Sequence, residues 1–285
     1  MKVEIVGHVC IDRNTSEHSQ GETPGSPAMF INRLYKQFPD VNAGVIASYG
    51  PDFRKFLDRV NIRPKSPNLD QTLVYENITS LDGDRIQRAF HRDQDPPFVS
   101  RGVRRVLKSA DIIFFAPLLP NFRARYYNEL TSATKSDSLR VLLPQGEFRD
   151  FDQDNQVIPR QFKKAEKVLP SMDLVVVSEK DHPDTYKLSK NWIKERHLIV
   201  VITMAERGAL ALTRHGEIWL PTIPVTSKEI IDSVGSGDIF AASFAYQFRK
   251  THGDIEEAGR FANAVARQCL FYRADQIQID LSQIV

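Results

Sequence analysis

The sequence predicts an α/β protein, a mostly parallel sheet with helices on both faces and a small β-strand flap. Three observations predict it. Short continuous apolar runs such as "ADIIFFAPL", "DLVVVS" and "LIVVITM" alternate with amphipathic stretches, the pattern of strands buried on both faces by crossover helices. One segment, "DQTLVYENITSLDGDRIQRAF" (Asp70 to Phe90), breaks that alternation and reads as two strands around a turn at "SLDGD". The chain has 285 residues, 41% of them hydrophobic, with no internal repeat and no linker, which suits one domain over 1–285.

Taken in order, "KVEIVGHVCID" is a strand that ends near Gly7 and resumes to Asp12. A polar stretch of turn formers, "RNTSEHSQGETPGSP", follows it, and the segments 12–24 and 70–92 together are the expected lid. "AMFINRLYKQF" has helical spacing at Phe30, Ile31, Leu34 and Phe38, and "NAGVIASYG" is a second strand. The run "RGVRRVLKS" places Val103, Val106 and Leu107 at helical spacing, so its arginines belong to a solvated helix face. Helices are expected at "FRARYYNELTSA", "RQFKKAEKVL" and "DTYKLSKNWIKER", and strands at "RVLLPQG" and within "GALALTRHGEIWLP". Two helices close the chain, one entering from "GSGDIFAASF" and one over "IEEAGRFANAVARQCLFY".

Charge and cysteine content narrow the function. With 38 basic and 36 acidic residues the net charge is +2, which gives no case for nucleic acid or an anionic membrane as partner. No run is long enough to span a bilayer, and "MKVEIVGHVCI" reads as a strand rather than a signal segment. Cys10 and Cys269 lie far apart without metal-type spacing and read as buried small residues in a reducing compartment, so a cytoplasmic location is expected. The acids of "RDFDQDNQ" lack the glycine and distal glutamate of a calcium loop and read as surface.

The stretch that carries chemistry is "IIDSVGSGDIFAASFAYQF", Ile230 to Phe248. A helix beginning at Ser236 presents free backbone N–H groups and partial positive charge, which suits an anion. Gly235 and Gly237 allow a sharp turn and close approach of a phosphate, with Ser236 adding little bulk. A carboxylate at Asp238 repels a phosphate unless a hydroxyl lies between them, in which case it can accept that proton as the oxygen attacks phosphorus. On the tetrapeptide alone, ordinary helix capping competes with catalysis. The pattern is neither GxxxxGK[ST] nor GxGxxG.

With its flanks, "DSVGSGDIFAASF" resembles the C-terminal motif of the PfkB, or ribokinase-like, family of sugar and nucleoside kinases, matching at Asp232, Gly235, Gly237 and Asp238. The resemblance covers nearly the whole chain. "VEIVGHVCIDRN" is similar to the family's first strand, "GSPAMFINRL" to its Gly-Gly signature with Ser26 for the second glycine and Phe30 for the usual asparagine, and "ASYGPDF" to its Gly-x-Asp segment. "VVITMAERGALALT" resembles the nucleotide loop, with Ala205 replacing a glycine, and "FANAVARQCL" resembles the late helix. The family's Asn-x-x-Glu motif stands here as Ser178-Glu179-Lys180-Asp181, a departure that implies altered metal dependence or rate.

The resemblance implies Asp238 as catalytic base, with Gly235, Ser236 and Gly237 as the anion hole. It implies an acceptor held by Asp12, Gly25, Ser26, Gln145 and Asp238, and a nucleotide bound by Ser178, Thr203, Gly208, Gly235, Gly237 and Asn263. Asp181 and Asp232 are the implied metal residues, for ATP with Mg2+, and a monovalent cation such as K+ is a further option. "GETPGSPAMFINRL", "VGHVCID" and "YGPDF" look most like the plant inositol kinase branch, so the expected activity is transfer of phosphate to a polyol or sugar hydroxyl. Arg149 would suit a phosphorylated sugar, and Phe30 or Tyr75 a stacked nucleoside. His8, at a strand end, is read as satisfied by backbone rather than by substrate. The alternatives are a nucleoside kinase, a non-catalytic small-molecule binder of the same fold, and an unrelated phosphate-binding α/β protein. A monomer or a lid-mediated homodimer fits equally.

Overall fold

A computed structural model describes residues 1–16, 19–79, 85–194 and 197–284. The chain opens with β1 (Lys2–Gly7), whose last five residues are buried, then β2 (Cys10–Ser16), β3 (Ser19–Gly25) and α1 (Pro27–Tyr35). Strands β4 (Asn42–Ile46), β5 (Ile62–Arg63), β6 (Leu73–Thr79) and β7 (Arg85–Phe90) follow. Then come α2 (Arg101–Ser109), β8 (Ile112–Ala116), α3 (Ala124–Thr131), β9 (Leu139–Leu142) and a hairpin of β10 (Arg149–Phe151) with β11 (Val157–Pro159). The last third holds α4 (Ala165–Val168), β12 (Leu174–Ser178), α5 (Thr185–Trp192), β13 (Ile199–Thr203), β14 (Ala209–Thr213), β15 (Gly216–Leu220), α6 (Ser236–Lys250) and α7 (Ile255–Cys269).

Among the described residues nine strands form one sheet in the order β15-β14-β13-β12-β9-β8-β1-β4-β5, parallel except where β14 and β15 return as a hairpin. Alternation along β8 shows how it is covered. Ile112, Phe114 and Ala116 pack toward α1, α6 and α7, with Leu34, Phe244 and Val265, while Ile113 and Phe115 pack toward α2, α3 and α5, with Leu107, Tyr127 and Trp192. A parallel strand buried on both faces needs such a continuous apolar run, which is why these strands were legible as apolar blocks. The carboxyl ends of β1, β8, β9, β12 and β13 share one edge, where open α/β sheets bind ligands.

The flap is a four-stranded sheet, β3-β2-β6-β7, with β2 and β6 parallel and the other pairs antiparallel. The polar stretch after Asp12 is extended, β2 and β3 pairing from Cys10–Gly25 out to Ser16–Ser19. One expectation is corrected here. The helix expected over Arg160–Leu169 forms only from Ala165, as α4, and passes into a 3-10 turn at Leu169–Ser171, where Pro170 lacks the N–H that would carry the helix on. The turn expected at "SLDGD" lies outside the described residues. The acidic run after Arg149 is the tip of the β10–β11 hairpin, where Asp152 accepts from the amides of Asp154 and Gln156, both 2.9 Å.

At the join of flap and core the backbone is strained. Ser26 caps α1, accepting from Met29 N at 3.2 Å, but does so at φ 110 and ψ 155, a region occupied almost only by glycine. Ser26→Gly gives up the cap, a loss of a few tenths of a kcal/mol for glycine, and releases strain on the order of 1–3 kcal/mol. The expected outcome is a net gain of about 1 kcal/mol and a higher thermal midpoint by a few degrees, measured by calorimetry. An unchanged or lowered midpoint would show that the surroundings, not the residue, set this geometry.

Candidate active site

The site is built where α6 begins. Gly235 takes φ +80 as the N-terminal flank of α6, and a Cβ placed on it would sit 2.6 Å from the ring of Phe30. Both the left-handed backbone and the ring require glycine here. Ser236 N donates to Ser233 O at 3.2 Å, closing the turn, and nothing within 4 Å obstructs the space above Gly237. Asp238 follows in the first turn, half-buried on the cleft floor.

Asp238 does not stand alone. Burial, then the charges of Asp181 and Asp12, push its carboxyl from the usual 3.8 to about 7, and the Arg149 guanidinium opposes the rise without cancelling it. Asp181 is held by Ser178 N, which donates to its Oδ2 at 2.9 Å, yet burial still raises its pKa. The Ser178 hydroxyl in turn accepts from Lys180 N at 3.2 Å, so the departure from Asn-x-x-Glu is a closed turn.

The residues expected to hold an acceptor lie at the foot of the flap. Asp12 packs so tightly on Gly25 that a Cβ there would lie 2.0 Å from its carboxylate, and Cys10 Sγ donates to Asp12 Oδ1 at 3.4 Å. Arg149, the first residue of β10, lies over the Tyr75 ring at 5.2 Å. The Tyr75 hydroxyl donates to Leu118 O at 3.0 Å. Tyr75 is 1% exposed, so it supports Arg149 rather than offering a face to a base. Phe30 is likewise buried against Gly235. His8 is neutral, with a pKa near 4 from burial, and accepts from Leu118 N at 3.0 Å as expected of a strand-end histidine.

On the other side of Asp238 a cavity of about 550 Å³ runs between the sheet edge and α7. Gln145, Ser178, Asp181, Thr203, Gly208, Gly235, Ser236, Gly237, Asp238 and Asn263 all line it, so the structure brings together most of the residues singled out in the sequence. Asn263 is tethered, its Nδ2 donating to Leu220 O and Pro221 O at 3.0 Å each. Asp232 is not in the lining. Its carboxylate lies behind the glycine turn and accepts from Val234 N at 2.9 Å and Ala274 N at 3.0 Å. Sequence reasoning missed the apolar far wall, Ile223 and Val225 from a loop, where apolar residues carry no pattern, and Ala266 and Leu270 at the end of α7, where they read as ordinary helix positions.

The profile of the pfkB family carbohydrate kinases matches residues 85–280, more than half of the chain. This protein belongs to that family. Among similar pfkB-type proteins, a cytidine kinase of Thermococcus kodakarensis is 23% identical over 282 residues, covering 93% of this chain and 95% of the relative. An uncharacterized sugar kinase of Archaeoglobus fulgidus is 35% identical over 72 residues, 25% of this chain and 27% of its own. Among solved structures, a pyrophosphate-dependent kinase in the ribokinase family, complexed with a pyrophosphate analog and myo-inositol, superposes at TM-score 0.72, with 18% identity and 93% of each chain covered. The nucleoside kinase of Methanocaldococcus jannaschii does so at TM-score 0.72, with 15% identity, over 96% of this chain and 93% of that one. These likenesses establish the ribokinase-like α/β fold with its flap. Among the described residues no helix is long and apolar enough to cross a membrane.

The raised pKa of Asp238 has a consequence for stability. Its folded value, about 7, lies above the unfolded value near 3.8, so the folded state holds the proton more tightly. Its stabilising share is full below pH 4 and is lost as pH rises through 7. Asp238→Asn, which cannot ionise, is therefore expected to exceed wild type in unfolding free energy on the order of 1–3 kcal/mol at pH 8, with the gap closing by pH 4. Urea melts at the two pH values measure it, and a gap independent of pH would contradict the assigned shift.

Proposed function

We propose that this chain is an ATP-dependent, Mg2+-assisted kinase that phosphorylates a hydroxyl of a small polyol or sugar. One observation carries the reading: a carboxylate with a pKa near 7 stands in the first turn of α6, beside unobstructed space over Gly237. A general base works best when its pKa lies close to the working pH. Asp238 takes the acceptor proton, and the amides of Gly235 and Gly237, flanking the Ser236 amide that closes the turn, bind the charge of the transferred phosphoryl group. Asp12, Gln145 and the backbone of Gly25 and Ser26 orient the acceptor, and the flap excludes water.

The apolar wall of Ile223, Val225, Ala266 and Leu270 suits a purine base, which supports a nucleotide over pyrophosphate as donor. Thr203, Gly208 and Asn263 shape that half of the cleft. The donor set fits Mg2+ of the usual phosphate-bound kind. Among the described residues no three acidic, histidine or cysteine side chains form a metal cluster, so Asp181 with Glu179 would hold the ion together with water and the nucleotide phosphates. The bound ion would screen charge on the phosphates. Asp232, engaged by two backbone amides, shapes the turn, and a monovalent cation such as K+ would have to act there through carbonyls.

A nucleoside acceptor is the second reading, favoured by the full-length likeness to a cytidine kinase. The burial of Tyr75 and Phe30 weighs against it, since neither ring is open to a base. Assays with myo-inositol, ribose, a sugar phosphate and cytidine, reading ADP release with ATP and orthophosphate release with pyrophosphate, decide between them. The expected result is ATP-dependent turnover of a polyol or sugar that rises with pH around a midpoint near 7. Asp238→Asn should lower kcat about 10²–10⁴-fold while leaving acceptor affinity within a few-fold. Near-normal turnover by that variant would remove Asp238 from the role of base.

A further inference from the structure

The turn before α6 is fastened to a segment that follows α7. Ile231 N donates to Leu270 O at 2.8 Å, and Asp232 bridges Val234 N and Ala274 N. This arrangement holds the turn only if the 270–274 segment is itself held. The Ala274 carbonyl accepts a hydrogen bond from Arg33 Nη1, on α1. The same guanidinium lies over the Phe30 ring, 5.6 Å from its centroid, and that ring fills the space beside Gly235. A single side chain thus reaches the glycine turn by two routes: through Phe30 to Gly235, and through Ala274 and Asp232 to Val234.

We propose that Arg33 is a positioning residue for the anion hole, holding the 232–235 turn in the shape its amides need. It touches no part of the cleft around Asp238 and is not a catalytic residue. Its open side faces a separate cavity of about 720 Å³, lined also by Lys36, Asp58, Arg59, Tyr272 and Asp275. Asp275 favours the charge of Arg33, while Arg59 and burial oppose it. Arg33 therefore occupies a partly desolvated position for which its bond to Ala274 and its stack on Phe30 compensate. An arginine that merely covered the α1 surface would need neither contact.

The proposal rests on the kinase reading for its activity arm, and amide exchange tests it without that reading. Arg33→Ala is expected to speed hydrogen exchange at Val234 to Gly237 by about tenfold or more, with exchange in β8 and β12 unchanged. In the kinase assay it should lower kcat about tenfold, leave the acceptor KM within twofold, and recover on adding millimolar guanidinium, which the open cavity admits. Arg59→Ala, on the wall of the same cavity, should change neither readout. Wild-type exchange at the turn in Arg33→Ala overturns the proposal. So does a kcat loss that guanidinium leaves in place while the turn exchanges normally. If wild type turns over no acceptor, the kinase reading fails and the exchange result alone decides this one. Should Arg33→Ala not fold, Arg33→Lys keeps the charge and a donor but cannot lie flat on Phe30. Faster exchange at the turn then supports the proposal, and unchanged exchange overturns it.

Discussion

Asp238 sits where Asp181 and Asp12 both disfavour its ionisation, and one guanidinium, Arg149, opposes them. Much of the cleft depends on this shortfall of positive charge. Burial and like charge keep the carboxyl near the point where it holds its proton half the time. A free helix N-terminus a few residues earlier offers the compensating partial charge, but only to an anion that enters from the cleft. The site thus holds a group poised to take a proton beside a place poised to take negative charge. Neutralising the acids would lower the Asp238 pKa only in part, since burial is the largest cause of its rise, and filling the space over Gly237 would leave the amides nothing to bind.

The backbone around this charge arrangement is kept even where its residues are not. The resemblance places glycines at the positions of Ser26 and Ala205, and both residues keep a positive φ, 110 and 49. Glycine residues retained at other points are there for contact as well as conformation: Asp12 leaves no space for a Cβ on Gly25, and the Phe30 ring leaves none on Gly235. Phe30 itself replaces an expected asparagine, and its consequence is apolar support of the turn in place of a polar group in the cleft. These departures change what holds the loops more than where the loops go.

The central sheet was legible because parallel strands buried on both faces need unbroken apolar runs, and β8, β12 and β13 supply them. The glycine turn was legible only with its flanks, since GxGD alone is equally an ordinary helix cap. The β2–β3 hairpin was not, since its outer half is solvated and polar and its register comes from pairing with β6, far along the chain. The place of Asp232 was also hidden. A carboxylate in a motif looks the same whether it faces a ligand or, as here, two backbone amides. Arg149 drew notice only as a phosphate partner, because its nearness to Tyr75 and Asp238 arises from the fold and not from spacing.

The Asp12 side of the cleft and the flap are built on the same strands. Asp12 is the third residue of β2, and Tyr75, its neighbour across the parallel pairing, lies on β6. Arg149 stands on the β10–β11 hairpin, which is joined to the flap by an Arg88–Gln156 bridge, by Ala89 N donating to Asn155 O at 2.9 Å, and by Arg92 lying 4.4 Å over Phe151. Any displacement of the flap relative to the sheet therefore carries Asp12 with it and pulls on the hairpin of Arg149. Asp238 and the glycine turn stay with α6, packed in the core against α1 and α7. The charges around Asp238 are thus supplied from two sides: burial on α6 is the largest cause of its raised pKa, while Arg149 on β10 lowers it and Asp12 on β2 raises it from the flap side.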